Sequence, residues 1–420
     1  ADASIEGYAL SVLQDPVDPQ LLWLGTEFGL YLSIDGGREW TKFTAGLPTA
    51  SVMDLAFQER EHDLVVGTHG RGIYIIDDVS PLRNLEADTL SRRLTLLGAT
   101  DGQQYDRNPV IAGRFWGNGE FVARNEAYGV VLTFAAAGDD LPYPDEDGEK
   151  ARMLARRAAA KPVEEGDDEK PGKPTVTVQV TDADNTLIRS FTAEVHQGIN
   201  RVVWPLTRDG LPPLPGSDTA ADEDLPDGVE VLPGVYTLSV SLGEDTRSVE
   251  ARVLADPRVD VGMADRRANQ AMQLELQRLR ARVNGALARI ITARRDLKTI
   301  EALIQQSEDP RAHAALRDAI AQGREQLREL ESVFRVPKDS KGRPYTGDKL
   351  VNLLRRANAF LTSSYEAPSP TAKAFAAQAE QRVVDAVANL NAYLEGDFAS
   401  IRAAFAESGL TLLGQEPVSM

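Results

Sequence analysis

Asp35 lies in Ser33-Ile34-Asp35-Gly36-Gly37-Arg38-Glu39-Trp40. A carboxylate at such a position can accept hydrogen bonds from backbone N–H groups of its own turn, or it can help to hold a metal. Gly37 supplies a backbone position that tolerates positive φ, and Trp40 covers the turn with a large apolar face, so the spacing Ser-x-Asp-x-Gly-x-x-Trp favours the braced turn. His69, Arg71 and Tyr74 form a second group. Arg71 sits in a Gly-Arg-Gly turn and Tyr74 alternates as a strand residue, which leaves His69 and Arg71 as the candidate binding residues. The acids from Asp139 to Glu169 form a third group. Hydrolysis by paired carboxylates needs two acids held about 5 to 9.5 Å apart. A segment this poor in large apolar residues cannot hold a separation, so the acids read as a solvated run with at most loose cation binding. His62, His69, His196 and His313 are the four histidines, and they lack zinc spacing; no phosphate loop or nucleophile elbow is present. No residue is assigned as catalytic or as a metal ligand, and no cofactor is expected.

The elements around these residues repeat. Leu21 to Thr26 alternates and is followed by Gly29-Leu30-Tyr31-Leu32; about 42 residues later Asp63 to Thr68 and Gly72-Ile73-Tyr74-Ile75 return the same design. Short strands bounded by Gly, Pro or Asp, repeating at this period, are the signature of β-propeller blades. Residues 1–82 are therefore read as blades, and 83–107 as a linker in which Asn84 to Leu97 can form a short helix or strand. Two repeats cannot close a ring of about four or more blades. The reading thus places the remaining blades upstream or on a partner chain.

Residues 108–258 read as a β-sandwich. Thr175 to Val180 and Thr186 to Phe191 flank an Asp/Asn turn as a hairpin, and a Pro-Gly turn at Pro233-Gly234 feeds an alternating strand. An acidic insertion, 137–174, is expected to be disordered, and Asp209 to Asp227 to be a long polar loop. From 259 to 408 the period changes to about 3.6. Met272, Leu276, Leu279, Val283, Leu287, Ile290, Leu297, Ile300 and Ile304 make one stripe on a long helix. Three further amphipathic stripes follow, the last opened by Ser369-Pro370 and running to Phe405, so the segment reads as an antiparallel four-helix bundle or coiled coil. Residues 409–420 are a short tail. The fold class is thus multidomain β plus α: propeller blades, sandwich, helical bundle.

The net charge is −18, and it is uneven: residues 1–260 carry 23 Lys and Arg against 45 Asp and Glu, whereas 261–420 carry 23 against 19. An acidic β-rich part argues against nucleic acid as a partner. No apolar run approaches the roughly 18 to 20 residues of a membrane span. With no Cys, disulfides are excluded and the redox compartment is left open.

Ser33 to Trp40 resembles the Asp-box of sialidase-type and sortilin-type (VPS10-like) propellers, and Gly67 to Asp78 resembles the last blade of large secreted bacterial members. Gly198-Ile199-Asn200-Arg201-Val202-Val203-Trp204 and Pro233-Gly234-Val235-Tyr236-Thr237 resemble the Ig-like domain that follows such propellers, and the helical stretch resembles the tail of the same proteins. The second repeat departs from the box, because Asp77-Asp78 is followed by Val79-Ser80-Pro81. The resemblance implies the C-terminal part of a secreted or cell-envelope protein, periplasmic or outside the cell. In it Ser33, Asp35, Gly37 and Trp40 are structural and His69 and Arg71 lie at the propeller mouth. The implied function is non-catalytic binding of a protein or glycan ligand, or scaffolding. The alternative is a sialidase-like glycoside hydrolase whose catalytic residues lie in upstream blades.

Overall fold

A computed structural model describes residues 5–105, 126–145, 148–151, 154, 173–217, 224–337, 340 and 345–410. The chain is mixed β and α, and it forms two compact units, Ala1–Leu206 with Pro233–Asp256, and Thr207–Leu232 with Pro257–Met420.

The first unit opens with two antiparallel sheets. One has the order β1 (Ala9–Gln14), β2 (Leu22–Thr26), β3 (Gly29–Ser33), β4 (Thr41–Phe43); the other has the order β5 (Val52–Gln58), β6 (Asp63–Thr68), β7 (Ile73–Ile76). Their registers are equivalent. Trp23 pairs with Leu32 as Val65 pairs with Ile75, and Gly25 pairs with Leu30 as Gly67 pairs with Ile73. Even the irregularities match, since β1 shifts register between Ala9 and Ser11 and β5 between Val52 and Asp54. Period-2 alternation puts one set of side chains from each sheet between them. Trp23, Leu30, Val52, Leu55, Leu64 and Val66 are buried there, with Leu13, Leu32 and Phe43 packed at the margin.

Two further sheets complete this unit. One is the order β13 (Gly198–Trp204), β10 (Val130–Ala136), β8 (Leu94–Ala99); the other is β12 (Leu187–Glu194), β11 (Thr175–Thr181), β16 (Gly234–Leu242), β17 (Asp245–Leu254), β9 (Gly102–Gln103). Buried Trp204 of β13 meets Tyr236 of β16 with ring centroids 5.1 Å apart. The stretch expected as a linker contributes a strand here, because β8 pairs with β10 and buries Leu94 and Leu97. Most of the insertion at 137–174 lies outside the described residues. Its first residues are anchored: Arg93 pairs with Asp140, and Leu141 is fully buried.

The second unit consists of helices α1 (Met263–Gln306), α2 (Ala314–Phe334), α3 (Leu350–Leu361), α4 (Pro370–Glu395) and α5 (Asp397–Glu407), plus the hairpin of β14 (Thr207–Asp209) and β15 (Asp227–Glu230). The α1 stripe from Leu276 to Ile304 is buried against Leu316, Ile320, Leu327, Leu353, Leu354, Val383 and Leu390. Ser369 caps α4 by accepting from the Ala372 N–H, with Pro370 at the first turn. The single helix expected from Pro370 to Phe405 is two, because Gly396 (φ −97°, ψ −96°) leaves the helical region and ends α4. The segment expected as a loop of the sandwich lies on the helical unit instead. Side-chain amides of Gln270, Gln277 and Asn284 on α1 donate to the carbonyls of Glu230, Asp209 and Pro212.

Candidate binding rim and outer face of the repeat sheets

Successive hairpin turns of an up-and-down sheet fall at alternate ends, so the β2–β3 and β6–β7 turns share one end of their sheets and the β3–β4 turn takes the other. The two turns at the first end are built alike. The Thr26 hydroxyl donates to the Gly29 carbonyl at 3.2 Å, and the repeat-equivalent Thr68 hydroxyl donates to the Gly72 carbonyl at 2.6 Å. His69 and Arg71 are exposed on the β6–β7 turn, and Phe28 is exposed on its counterpart. The His69 N–H donates to the Ser51 carbonyl at 2.8 Å, which ties the turn to the start of β5. Gly70 and Gly72 flank Arg71 at φ +77° and +82°. Such a turn projects the guanidinium into solvent, where it can meet an anionic or hydroxyl-bearing ligand. Tyr74, by contrast, is a half-buried strand residue of the inter-sheet core.

At the other end lies the Asp35 turn. Asp35 Oδ1 accepts from the Arg38 and Glu39 N–H groups, each at 3.0 Å, and from the Ser33 hydroxyl at 2.7 Å; Ser33 Oγ accepts from the Gly37 N–H at 2.9 Å. Trp40 Nε1 donates to the Gly37 carbonyl at 3.1 Å. Gly36 and Gly37 have φ of +74° and +87°. Hydrogen bonds from the Glu39 backbone and the Ser33 hydroxyl hold the Asp35 carboxyl below the usual carboxylate range. With its oxygens so engaged, the side chain braces the turn. Ser33, Asp35, Gly37 and Trp40 are thus brought together, while His69 and Arg71 stand apart from them at the opposite end of the strands.

A third feature lies where the chain leaves β7. The Asp78 N–H donates to Asp63 Oδ1 at 3.1 Å, and Arg201 donates to the carbonyls of Asp77 and Asp78. Burial and then the nearby Asp63 charge push the Asp77 carboxyl up, and burial followed by Asp77 and Asp63 does the same for Glu126. Among the described residues no group of three or more His, Asp or Glu is placed to hold a metal ion.

Residue types alone did not single out Ile73 and Ile75. Both are exposed on β7, although their repeat equivalents Leu30 and Leu32 lie in the inter-sheet core. The signal was available, because aligning the repeats and asking which partner each apolar position has would have marked them.

No family model matches the chain, and no curated protein matches it. Among solved structures it is similar, over 62% of its length and with 12% identity, to the extracellular domain of a protein described as a hybrid two component system from B. thetaiotaomicron, at a TM-score of 0.15. A second structure of that protein's extracellular domain, there described as belonging to a one component system, matches over 61% of the chain with 13% identity and a TM-score of 0.14. The chain spans about a quarter of the length of these structures, 27% and 26%. Among the described residues no helix is long and apolar enough to cross a membrane.

Proposed function

We propose that the two repeat-related sheets are consecutive blades of a β-propeller, and that the protein is a non-catalytic binding or scaffold component of the cell envelope or the secreted space. The observation that carries this reading is the equivalence of the two sheets in pairing, in bulge position and in Thr-braced turn. Repetition of this kind lines equivalent turns along one rim, and such rims present loops to macromolecular ligands. Phe28, His69 and Arg71 sit on that rim, combining an aromatic face, a hydrogen-bonding ring and a fixed cation suited to a protein or glycan ligand. The sandwich-like sheets of the same unit brace the blades, as where Arg201 donates to the Asp77 and Asp78 carbonyls. The propeller identity, the Ig-like character of those sheets and the extracellular setting rest on the resemblance of Ser33 to Trp40, Gly67 to Asp78 and Gly198 to Trp204.

The test is binding to a glycan array, with a fluorogenic sialoside assayed in parallel. The protein is expected to retain ligand without turnover, and His69→Ala with Arg71→Ala to weaken binding roughly tenfold or more at unchanged melting temperature, the scale of one lost charge-assisted hydrogen bond. Unaltered binding in the double variant would remove the rim from consideration. Sialoside hydrolysis by this chain would instead favour the glycoside hydrolase alternative.

A further inference from the structure

The segment that follows β14 on the helical unit reads Gly210-Leu211-Pro212-Pro213-Leu214-Pro215. Proline rings fix φ near −65°, and Leu211, Pro212 and Leu214 each precede a proline, which drives them to extended backbone. Such a run adopts the polyproline II helix, with three residues per turn and about 3.1 Å of rise per residue. Carbonyls three residues apart therefore face the same way. The carbonyls that the helices engage are those of Asp209, Pro212 and Pro215.

The helices meet this period with one of their own. Gln277, Asn284 and Ile291 lie seven apart on one face of α1, a step of about 10.5 Å along the axis, against about 9 Å for three residues of polyproline II. Gln277 Nε2 donates to the Asp209 carbonyl at 3.0 Å, and Asn284 Nδ2 donates to the Pro212 carbonyl at 3.2 Å. Ile291 lies against Gly216, where a Cβ would stand 3.1 Å from Ile291 Cδ1. Arg335, just beyond α2, supplies the third donor, its Nη1 reaching the Pro215 carbonyl at 2.6 Å. Its direction is set by Glu331, a carboxylate 1% exposed that accepts from Arg335 Nε at 2.8 Å and is paired through its other oxygen with Arg294. Pro212, Pro213 and Pro215 have no N–H to offer, so a row of donors is the chemistry that suits them. Leu214 packs at the margin of a core built from residues of the helices alone.

We infer that this face of α1, together with Arg335, is a peptide-binding groove for a proline-rich segment of another polypeptide, of the pattern Leu-Pro-Pro-Leu-Pro-Gly, and that residues 209–216 occupy it as a competing ligand held in the same chain. Carbonyl recognition accepts any polyproline II backbone in register, while the places of Leu214 and Gly216 supply selectivity. Pro212 and Gly216 are exposed and Leu211, Pro213, Leu214 and Pro215 are half-buried, so the segment can peel away without opening the helical core. Its tether gives it an effective concentration on the order of millimolar, which sets the level at which a partner competes. A second copy is the poorer occupant. Its own segment leaves the first unit at 206/207 and returns at 232/233, so both ends are held and exchange requires both crossings to open.

The probe is a fluorescent peptide with the sequence of residues Arg208 to Ser217, titrated into the full 420-residue chain and into its Leu214→Asp variant. A peptide of the same composition with the prolines displaced is run beside it. Because the variant loosens the in-chain competitor, the probe is expected to bind it roughly tenfold or more tighter than the wild-type chain, and the scrambled peptide to bind neither. Adding Gln277→Leu and Asn284→Leu to that variant should weaken probe binding roughly tenfold or more, the scale of two lost hydrogen bonds. The chain has no cysteine, so Ser217→Cys takes a single label. In an otherwise wild-type chain, probe at a concentration on the order of millimolar should free that label, read as a fall in its fluorescence anisotropy, and this arm decides the matter if Leu214→Asp disturbs the helices. Equal binding of the two peptides, probe binding indifferent to the Gln277 and Asn284 substitutions, or a label that stays immobile overturns the proposal. Release of the label in a dimer of the chain without probe assigns the groove to a second copy and overturns it as well. The site lies in the helical unit, so none of these outcomes bears on the rim of the repeat sheets.

Discussion

Asp15 is a buried carboxylate whose side chain is fully covered, and Arg83, 13% exposed, donates to it from Nε at 3.0 Å. The N–H groups of Val17 and Asp18 also donate to Asp15 Oδ1, each at 2.8 Å. Burial alone would push this carboxyl up; the Asp18 backbone, Arg83 and the Val17 backbone together outweigh it and hold the carboxyl below its ordinary value. Replacing Arg83 with Met leaves a buried carboxylate without its cation, at a cost of about 3 kcal/mol to the first unit. The sign with pH follows from the lowered folded value. The stabilisation is fully present above the unfolded carboxylate pKa of about 4 and is lost as pH falls through the folded pKa. The melting temperature of Arg83→Met should therefore lie well below wild type at pH 7, and the gap should narrow on acidification below about pH 4. Asp77 and Glu126 act in the opposite sense, since their raised values favour the folded state as pH falls toward the ordinary carboxylate range.

Helix α2 is held to α4 and α5 through a glycine. A Cβ on Gly323 would stand 2.8 Å from Ile401 Cδ1 and 3.1 Å from the Tyr393 hydroxyl, which donates to the Gly323 carbonyl at 3.1 Å. Burial, with Asp397 nearby, pushes the Tyr393 phenol up to about 12, so it remains a donor at any working pH. Gly323→Val should force these helices apart at a cost of roughly 1 to 3 kcal/mol. Calorimetry should show it lowering the transition of the helical unit while leaving Asp15 and the repeat sheets unaffected. The α1 stripe was legible because a 3.6-residue period is written in side-chain type, and the same holds for Ser369-Pro370 as a helix start. The break at Gly396 was not, since one glycine within a helical pattern is compatible with continuation or with an end. The place of strand β8 in a sheet was hidden for a different reason. Leu94 to Ala99 becomes a strand by pairing with β10, a partner more than thirty residues away, and no local pattern names that partner. The Asp35 turn could be read because each of its side-chain bonds lies within four residues. Exposure of Ile73 and Ile75 was legible only indirectly, by aligning the two repeats and asking which sheet stands alongside each.

The chain passes between its two units three times, at 206/207, 232/233 and 256/257. The helical unit therefore includes residues 207–232, held by Gln270, Gln277, Asn284 and by Arg335, whose guanidinium donates to the Pro215 carbonyl at 2.6 Å. A protease site inserted between Val259 and Asp260, which are exposed, should be cut readily. The products are nevertheless expected to co-elute on native gel filtration and to separate only in denaturant, because the first retains part of the fold of the second. Elution as two independent species would show that these four bonds contribute little. The same path bears on inheritance. A single recombination breakpoint at 256/257 would transfer the repeat sheets together with a hairpin of the helical unit, and it would leave the recipient helices without that hairpin. Breakpoints at the other two crossings divide the sheets of the first unit. These two units can be drawn apart on paper, yet no single cut of the gene at a crossing separates them cleanly.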